Sequence, residues 1–322
     1  MATVLSGIQP SGQLHLGNWA GAIRQFVDLQ QENELFVFVA SYHALTTTRG
    51  EELRAATRQV VIDYLAFGLD PSRCHIYLQQ DLPQVTELAW ILSCVCPKHL
   101  MDKAVSFKDK VGRGLSASVG LYTYPILQAA DILIVDSELV PVGKDQVQHI
   151  EITRDLASKF NHHTGSETFR LPDYRLAANA QVLPGVDGEK MSKSYGNTID
   201  PFMDEKPLRK RIMKIVTDTA EPEAVKDPEG CTIFGIFRGV AGENDPRTVA
   251  LADQYRAGGL RYGDAKQALF ELLMETFADA RQRRAQLMAN PAQVDEVLYM
   301  GAEAARERAG QVMERVRSAV GL

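Results

Sequence analysis

Thr3-Val4-Leu5-Ser6-Gly7-Ile8 runs directly into Gln9-Pro10-Ser11-Gly12-Gln13-Leu14-His15-Leu16-Gly17-Asn18. The first six residues are apolar and β-branched enough for a buried strand, and the glycine-bearing turn after them leads into a helical pattern at 17–32. A strand that turns through glycine into a helix gathers free backbone amides and the positive end of a helix dipole at one place, which suits phosphate. The spacing is neither that of a dinucleotide fingerprint nor that of a P-loop, so taken alone the junction names no enzyme.

The same alternation continues outward. Runs at 35–40 (LFVFVA), 74–78 (CHIYL), 132–135 (ILIV) and 139–142 (LVPV) read as strands, with helical patterns at 51–68, 84–96 and 145–161 between and after them. This predicts an α/β fold, a Rossmann-like doubly wound parallel sheet. From about residue 201 the strand-like runs stop, and 207–216, 247–257, 263–289 and 291–319 read as helices, with Pro207 and Pro291 where a first-turn proline is tolerated. The expected organisation is a catalytic domain over 1–200 and a helical domain over 201–322. The stretch 104–120 (AVSFKDKVGRGLSASVG) reads as a mobile loop.

With 322 residues, 45% of them hydrophobic, the chain can bury the core of one large domain and a smaller one. No run approaches the roughly 18–20 apolar residues of a membrane span. The start MATVLSGIQPSG lacks the basic-then-apolar layout of a signal peptide, so a cytoplasmic protein is expected. Cys74, Cys94, Cys96 and Cys231 contain no CxxC pair, and Cys94, Cys96 and His99 lack a fourth ligand nearby; buried free thiols are expected. A net charge of −6 argues against a non-specific coat for nucleic acid. Two local basic patches remain, 206–214 (KPLRKRIMK) and Arg281, Arg283 and Arg284, each with a solvated helix face as its ordinary alternative.

Far downstream stands Lys190-Met191-Ser192-Lys193-Ser194, preceded by Gly185, Asp187 and Gly188 and followed by Gly196-Asn197. Two lysines on a glycine-flanked loop can swing onto a polyphosphate and neutralise the charge that builds on departing diphosphate. A lysine pair alone is usually a solvated loop. Its occurrence together with His15-Leu16-Gly17-Asn18 on an α/β framework reverses that reading.

His15 to Asn18 resembles the HIGH signature, and Lys190 to Ser194 is a literal KMSKS signature, of class I aminoacyl-tRNA synthetases. Their order and separation fit the tryptophan and tyrosine branch. GIQPSG before HLGN, YPILQAADIL at 124–133 and VPVGKDQVQHIEITRDLA at 140–157 resemble tryptophanyl-tRNA synthetases in particular, and the likeness spans essentially the whole chain. The resemblance implies ATP-dependent activation of L-tryptophan to tryptophanyl-adenylate and transfer to tRNA(Trp). A tyrosine-specific synthetase, a nucleotidyltransferase acting without tRNA and a repurposed paralogue are the alternatives.

In-line attack of a carboxylate on the α-phosphorus of ATP needs no enzyme nucleophile, only positioning and charge stabilisation. His15 can donate to phosphate oxygens, Gly17 lets adenine approach the backbone, and Asn18 can bond at the helix start. By resemblance Lys110, in the 104–120 loop, joins His15, Lys190 and Lys193 on the phosphates, and Mg2+ rides on ATP. The family also places Gln9, Pro10 and Ser11, Gly143 and Asp145, and Met191, Ser192 and Ser194 at the nucleotide. Asp145, after a strand and at a helix start, suits a ribose hydroxyl or the substrate ammonium, and a helix cap, its ordinary reading, does not exclude that role.

The indole N–H is a donor with no acceptor capacity, so a buried tryptophan site must offer an acceptor. Asp131 fits, lying in an apolar stretch where an unpaired carboxylate would be costly, although a helix cap is the alternative. The resemblance puts apolar walls at Leu5, Val140 and Val142 with Gly7 at the strand, and gives the amino and carboxylate groups to Gln9, Tyr124, Gln128 and Gln146. His43 points to the pocket mouth or packs in a loop, with nothing to choose between them. Ser41 stands where an acidic residue is common in the family, and Gln128 where some bacterial members carry methionine. The resemblance implies a homodimer through a connective insertion at about 74–120, and 81–101 offers Leu82, Val85, Leu88, Ala89, Trp90, Leu92 and Val95, more apolar surface than one helix needs, with packing wholly within the subunit as the alternative.

Overall fold

A computed structural model describes residues 1–10, 12–102, 107, 112, 114, 116–176 and 182–322, apart from the side chain of Asp145. The loop expected at 104–120 therefore lies mostly outside the described residues, as do Ser11 and Lys110.

Five parallel strands, β1 (Thr3–Ile8), β2 (Glu34–Val39), β3 (Cys74–Leu78), β4 (Leu139–Val142) and β5 (Asp173–Leu176), form one sheet in the order β3-β2-β1-β4-β5. The chain moves outward from β1 in one direction through β2 and β3 and then in the other through β4 and β5. That leaves a topological switch point beside β1, where such sheets bind ligands at their carboxyl edge. Register sharpens the point. Ile8 pairs with Val39, and Val39 with Leu78, so Gln9, Ala40 and Gln79 leave the sheet side by side.

Among the described residues the helices are α1 (Leu16–Asn18), α2 (Arg24–Leu29), α3 (Ser41–Ala44), α4 (Gly50–Ala66), α5 (Gln84–Val95), α6 (Lys98–Asp102), α7 (Val119–Leu133) and α8 (Val147–Thr164). After β5 come α9 (Glu205–Met213), α10 (Thr232–Ala241), α11 (Pro246–Ala257), α12 (Tyr262–Thr276), α13 (Ala278–Ala289) and α14 (Pro291–Val320).

Two compact units result. The first takes Met1–Gln13, Phe26–Ala177 and Leu287–Leu322; the second takes Leu14–Gln25 and Ala178–Gln286. This division differs from a linear cut at residue 200. The C-terminal helix α14 buries Ala302, Ala305, Ala309, Val312, Met313 and Val316 in the same core as Leu5, Phe36, Tyr77 and the inner faces of α7 and α8. Its helical period was legible, but the partner of its apolar stripe is a tertiary fact. In the second unit the indole ring of Trp19 meets the Phe277 ring edge-on at 5.0 Å, which ties the stretch after β1 to the helices of the same unit.

Several local expectations need correction. Residues 132–135 are not a strand: Ile132 and Leu133 end α7 and the Ile134 N–H still donates to Ala130 O at 2.9 Å. A helix buried on all sides carries no period that separates it from a buried strand. The helix expected at 17–32 is broken by a π turn at Trp19–Ile23, and that expected at 263–289 divides at Phe277. Strand β5 was missed because all four of its residues are exposed, so it carries no apolar alternation. Of the four thiols, all free, only Cys74 is buried, and Cys94 is exposed. The apolar residues Leu82, Val85, Leu88 and Leu92 are buried within the subunit, while Trp90 remains 71% exposed.

Candidate active site

The second unit holds both signature motifs. His15 precedes α1 and closes a capping box: Gly17 N–H donates to His15 Nδ1 at 3.1 Å, and His15 N–H donates to Asn18 Oδ1 at 3.1 Å. Burial first, and the positive charge of Lys193 second, lower the His15 pKa to about 4. The imidazole is therefore neutral at pH 7. Since Nδ1 accepts from Gly17, the proton sits on Nε2, which leaves one N–H donor for a phosphate oxygen. Gly17 lies so near the His15 ring and Met191 that a Cβ there would fall 3.0 Å from the ring and 3.5 Å from Met191 Cβ. The first signature thus rests on the second.

The lysine loop is held from beneath by Asn197, which is only 2% exposed. Ser192 N–H donates to Asn197 Oδ1 at 2.8 Å, while Asn197 Nδ2 donates to Asp187 Oδ1 at 2.8 Å and to Lys190 O at 3.1 Å. Gly185 makes room, since a Cβ on it would lie 2.3 Å from Asn197 Cγ. Above this anchor Lys190 is exposed, Lys193 half-buried, and the Ser192 and Ser194 hydroxyls bond at 2.9 Å. Arg211 then donates to the carbonyls of Thr198 and Gly196. The Arg281 guanidinium donates to Pro201 O and Met203 O, and Arg284 lies over the Phe202 ring at 4.8 Å. Two arginines of the second basic patch thus hold the chain just after the lysine loop. Sequence spacing gave no hint of this.

The first unit builds a separate polar centre at the carboxyl edge of the sheet. Asp131 on α7 is 2% exposed and accepts from His43 Nε2 at 2.8 Å and from Gln79 Nε2 at 2.7 Å on Oδ1 and 2.9 Å on Oδ2. Burial pushes its carboxyl up, and the donations from His43 and Gln79 pull the other way. His43, which the sequence left undecided, belongs to this centre; Gln9 Nε2 donates to its carbonyl at 3.3 Å. Tyr124 completes one wall, its hydroxyl 2.8 Å from His149 Nε2 and its ring edge-on to His43 at 6.2 Å.

Leu5, Val140 and Val142 are buried in the surrounding core. Gly7 pairs with Phe38 in the sheet, Pro10 is buried, and Gln128, Gly143 and Gln146 are half-buried in the same unit. Asp145 lies in the turn Lys144–Gln146 before α8, its side chain outside the described residues. Sequence reasoning missed Gln79, Asn197 and His149. All three are polar residues that act through buried hydrogen bonds, and such partners leave no short motif.

The first unit has a parallel sheet with its switch point beside β1, and the second a neutral histidine beside a glycine-flanked lysine loop; both are features of a class I synthetase. The family model described as tRNA synthetases class I (W and Y) matches residues 1–278. A tryptophan–tRNA ligase of Rhodopirellula baltica is 48% identical over 320 residues, covering 99% of each chain, and one of Fusobacterium nucleatum is 46% identical, covering 100% of this chain and 98% of the relative. The crystal structure of a tryptophanyl-tRNA synthetase from Campylobacter jejuni complexed with ADP and tryptophan superposes with a TM-score of 0.92 at 45% identity, covering 99% of this chain and 100% of the other. The chain belongs to this class I family, and within it to the tryptophan–tRNA ligases.

Proposed function

We propose that this enzyme joins L-tryptophan to ATP and passes the product to tRNA(Trp), with the residue roles that follow. A tryptophan carboxylate oxygen attacks the α-phosphorus, the bond to the β-phosphate oxygen breaks, and diphosphate leaves. A terminal hydroxyl of the tRNA then attacks the carbonyl of tryptophanyl-adenylate, and AMP leaves. His15 donates from Nε2 to the phosphates. Lys190 and Lys193 take up the charge that accumulates on diphosphate, with Lys110 as the family's further contributor. Asp131 accepts the indole N–H. Gln9, Tyr124, Gln128 and Gln146 serve the amino and carboxylate groups, and Gly143 and Asp145 serve the nucleotide.

The observation that carries this reading is the packing of neutral His15 and Gly17 on the lysine loop within one compact unit. Mg2+ would arrive on the ATP phosphates. No described helix is long and apolar enough to cross a membrane. Exposed Trp90 supports a homodimer, although the rest of the apolar face of α5 is spent within the subunit. Helices α9 to α13 would receive the anticodon end of tRNA.

Amino-acid-dependent exchange of pyrophosphate into ATP tests the assignment. Tryptophan should support exchange, with tyrosine and phenylalanine orders of magnitude behind; equal exchange with tyrosine would sink it.

A further inference from the structure

Gln79 is the first residue after β3 and is 0% exposed. Its amide orientation is fixed by its surroundings. The backbone N–H groups of Tyr42 and His43 can only donate, and both point at Gln79 Oε1, at 2.8 Å and 3.4 Å. The Nε2 end must therefore face Asp131, and an amide nitrogen can only donate. The backbone of α3 thus dictates, through one side chain, that both oxygens of Asp131 act as acceptors.

A carboxylate offers about four lone-pair positions. One Gln79 N–H is shared between the two oxygens, at 2.7 Å from Oδ1 and 2.9 Å from Oδ2, and His43 bonds Oδ2 as well, so Oδ1 is the oxygen left open to a further donor. Asp131 and Gln79 are both buried, so water poorly compensates a partner of the wrong kind at that oxygen. We propose that Gln79 is the positioning residue for tryptophan selection: its backbone-anchored amide holds Asp131 as an acceptor with Oδ1 turned free for one indole N–H. The inference rests on the reading of Asp131 as the indole partner and extends it to a residue that touches no substrate.

Strand register explains why the device sits here. Gln9, Ala40 and Gln79 leave the sheet in line, so a side chain of glutamine length from the end of β3 reaches the first turn of α3. Ser41 bonds the side chain of the next residue, Gln80, which secures the same contact from the other side.

The test compares tryptophan with its benzothiophene analogue, which has sulfur in place of the indole N–H, in amino-acid-dependent pyrophosphate exchange by the native enzyme, Gln79→Met and Asp131→Ala. Methionine matches the volume without the donor. The native enzyme should prefer tryptophan on the order of 100-fold, the worth of a hydrogen bond to a buried charge. Gln79→Met should cut that preference about tenfold through a raised tryptophan KM, with kcat/KM for the analogue and KM for ATP held within about twofold. An equal loss for both amino acids would make Gln79 a packing residue and overturn the inference. Should Asp131→Ala lose the preference while Gln79→Met keeps it, Asp131 stands as the indole partner and Gln79 falls. A preference that survives Asp131→Ala removes the underlying reading itself.

A second measurement needs no variant to fold. In the native protein the Gln79 side-chain amide protons should exchange slowly with solvent before tryptophan is added, and should shift more with tryptophan than with the analogue. Fast exchange, or equal shifts with both, overturns the proposal.

Discussion

Two buried amides, Gln79 in the first unit and Asn197 in the second, do opposite kinds of work. Gln79 fixes a buried carboxyl: Asp131 is bonded by His43 and Gln79, and Gln79 is itself held by the backbone of α3. Asn197 fixes the base of a loop whose functional groups stand outside, with Lys190 exposed and Lys193 half-buried above it. Selection between similar amino acids depends on counting donors and acceptors where water cannot substitute, so it calls for a rigid, dry site. Charge stabilisation during departure of diphosphate needs cations that follow a moving charge, so it tolerates exposed side chains on a fixed footing.

Lys193→Ala should produce the largest effect. Adenylate formation should slow about 10²–10³-fold while ATP binding changes little, because the contact strengthens as charge collects on the leaving group. Single-turnover kinetics at saturating ATP give the rate of chemistry; an unchanged rate would make the lysine loop a bystander and erase the contrast between the two regions. Asn197→Ala comes next. It strands the part-buried Ser192 N–H and Lys190 carbonyl, at a cost of up to about 1 kcal/mol each where water can reach them. The expected result is a fall in kcat of about tenfold or more with an unchanged tryptophan KM, since the proposed tryptophan site is built from other residues. A raised tryptophan KM with native kcat would mean that Asn197 serves substrate binding and not the loop.

A smaller effect tests the electrostatics. The folded-state pKa of His15 is lowered from 6.5 to about 4, so between those values the unfolded chain takes up a proton that the folded chain refuses. The contribution of this group to stability is complete above pH 6.5 and is lost as pH falls towards about 4. The His15 ring protons followed by NMR should titrate with a midpoint near 4. A midpoint at the ordinary histidine value would deny the burial that makes Nε2 a neutral donor.

How much of this was legible in the sequence follows from the kind of interaction each feature uses. Both signatures could be read because backbone geometry and phosphate chemistry demand particular residues in short spans: glycine at 17 beside the histidine, two lysines in a glycine-flanked loop. Asp131 stood out as a candidate because a carboxylate among alanines and isoleucines is anomalous on its own. His43 stayed undecided and Gln79 went unseen, since each gains its role from a partner on a different element, and nothing local marks that pairing. The same holds for the arginines at 281 and 284, which looked like a surface patch and are instead tied to Pro201, Met203 and Phe202. Helix α14 shows the limit at the scale of the fold, where period reveals a face but not what covers it.

That correction moves the expected tRNA contact to α9. Arg281 and Arg284 cannot be reversed in charge without disturbing the turn they hold, so a loss of charging in such variants would say nothing of tRNA. Lys206, Lys210 and Lys214 are exposed and lie along or just beyond one helix whose apolar side, Leu208 and Ile212, is buried. Exposed lysines that pair with phosphates release counterions, so binding weakens with salt in proportion to the number of phosphates neutralised. Replacing all three lysines with glutamate should leave tryptophan-dependent pyrophosphate exchange within about twofold of native, the smallest effect expected on the activation step, because neither the Asp131 centre nor the lysine loop is touched. The charging of tRNA(Trp) should fall about tenfold or more at low salt, and the dependence of log K on log[salt] should flatten by about 0.7–0.9 for each phosphate that is no longer neutralised. Exchange and charging measured together at two salt concentrations decide between the readings: native charging with an unaltered slope would return α9 to the status of a solvated helix, while a parallel loss of exchange would show that the patch supports the fold of the second unit and not the tRNA.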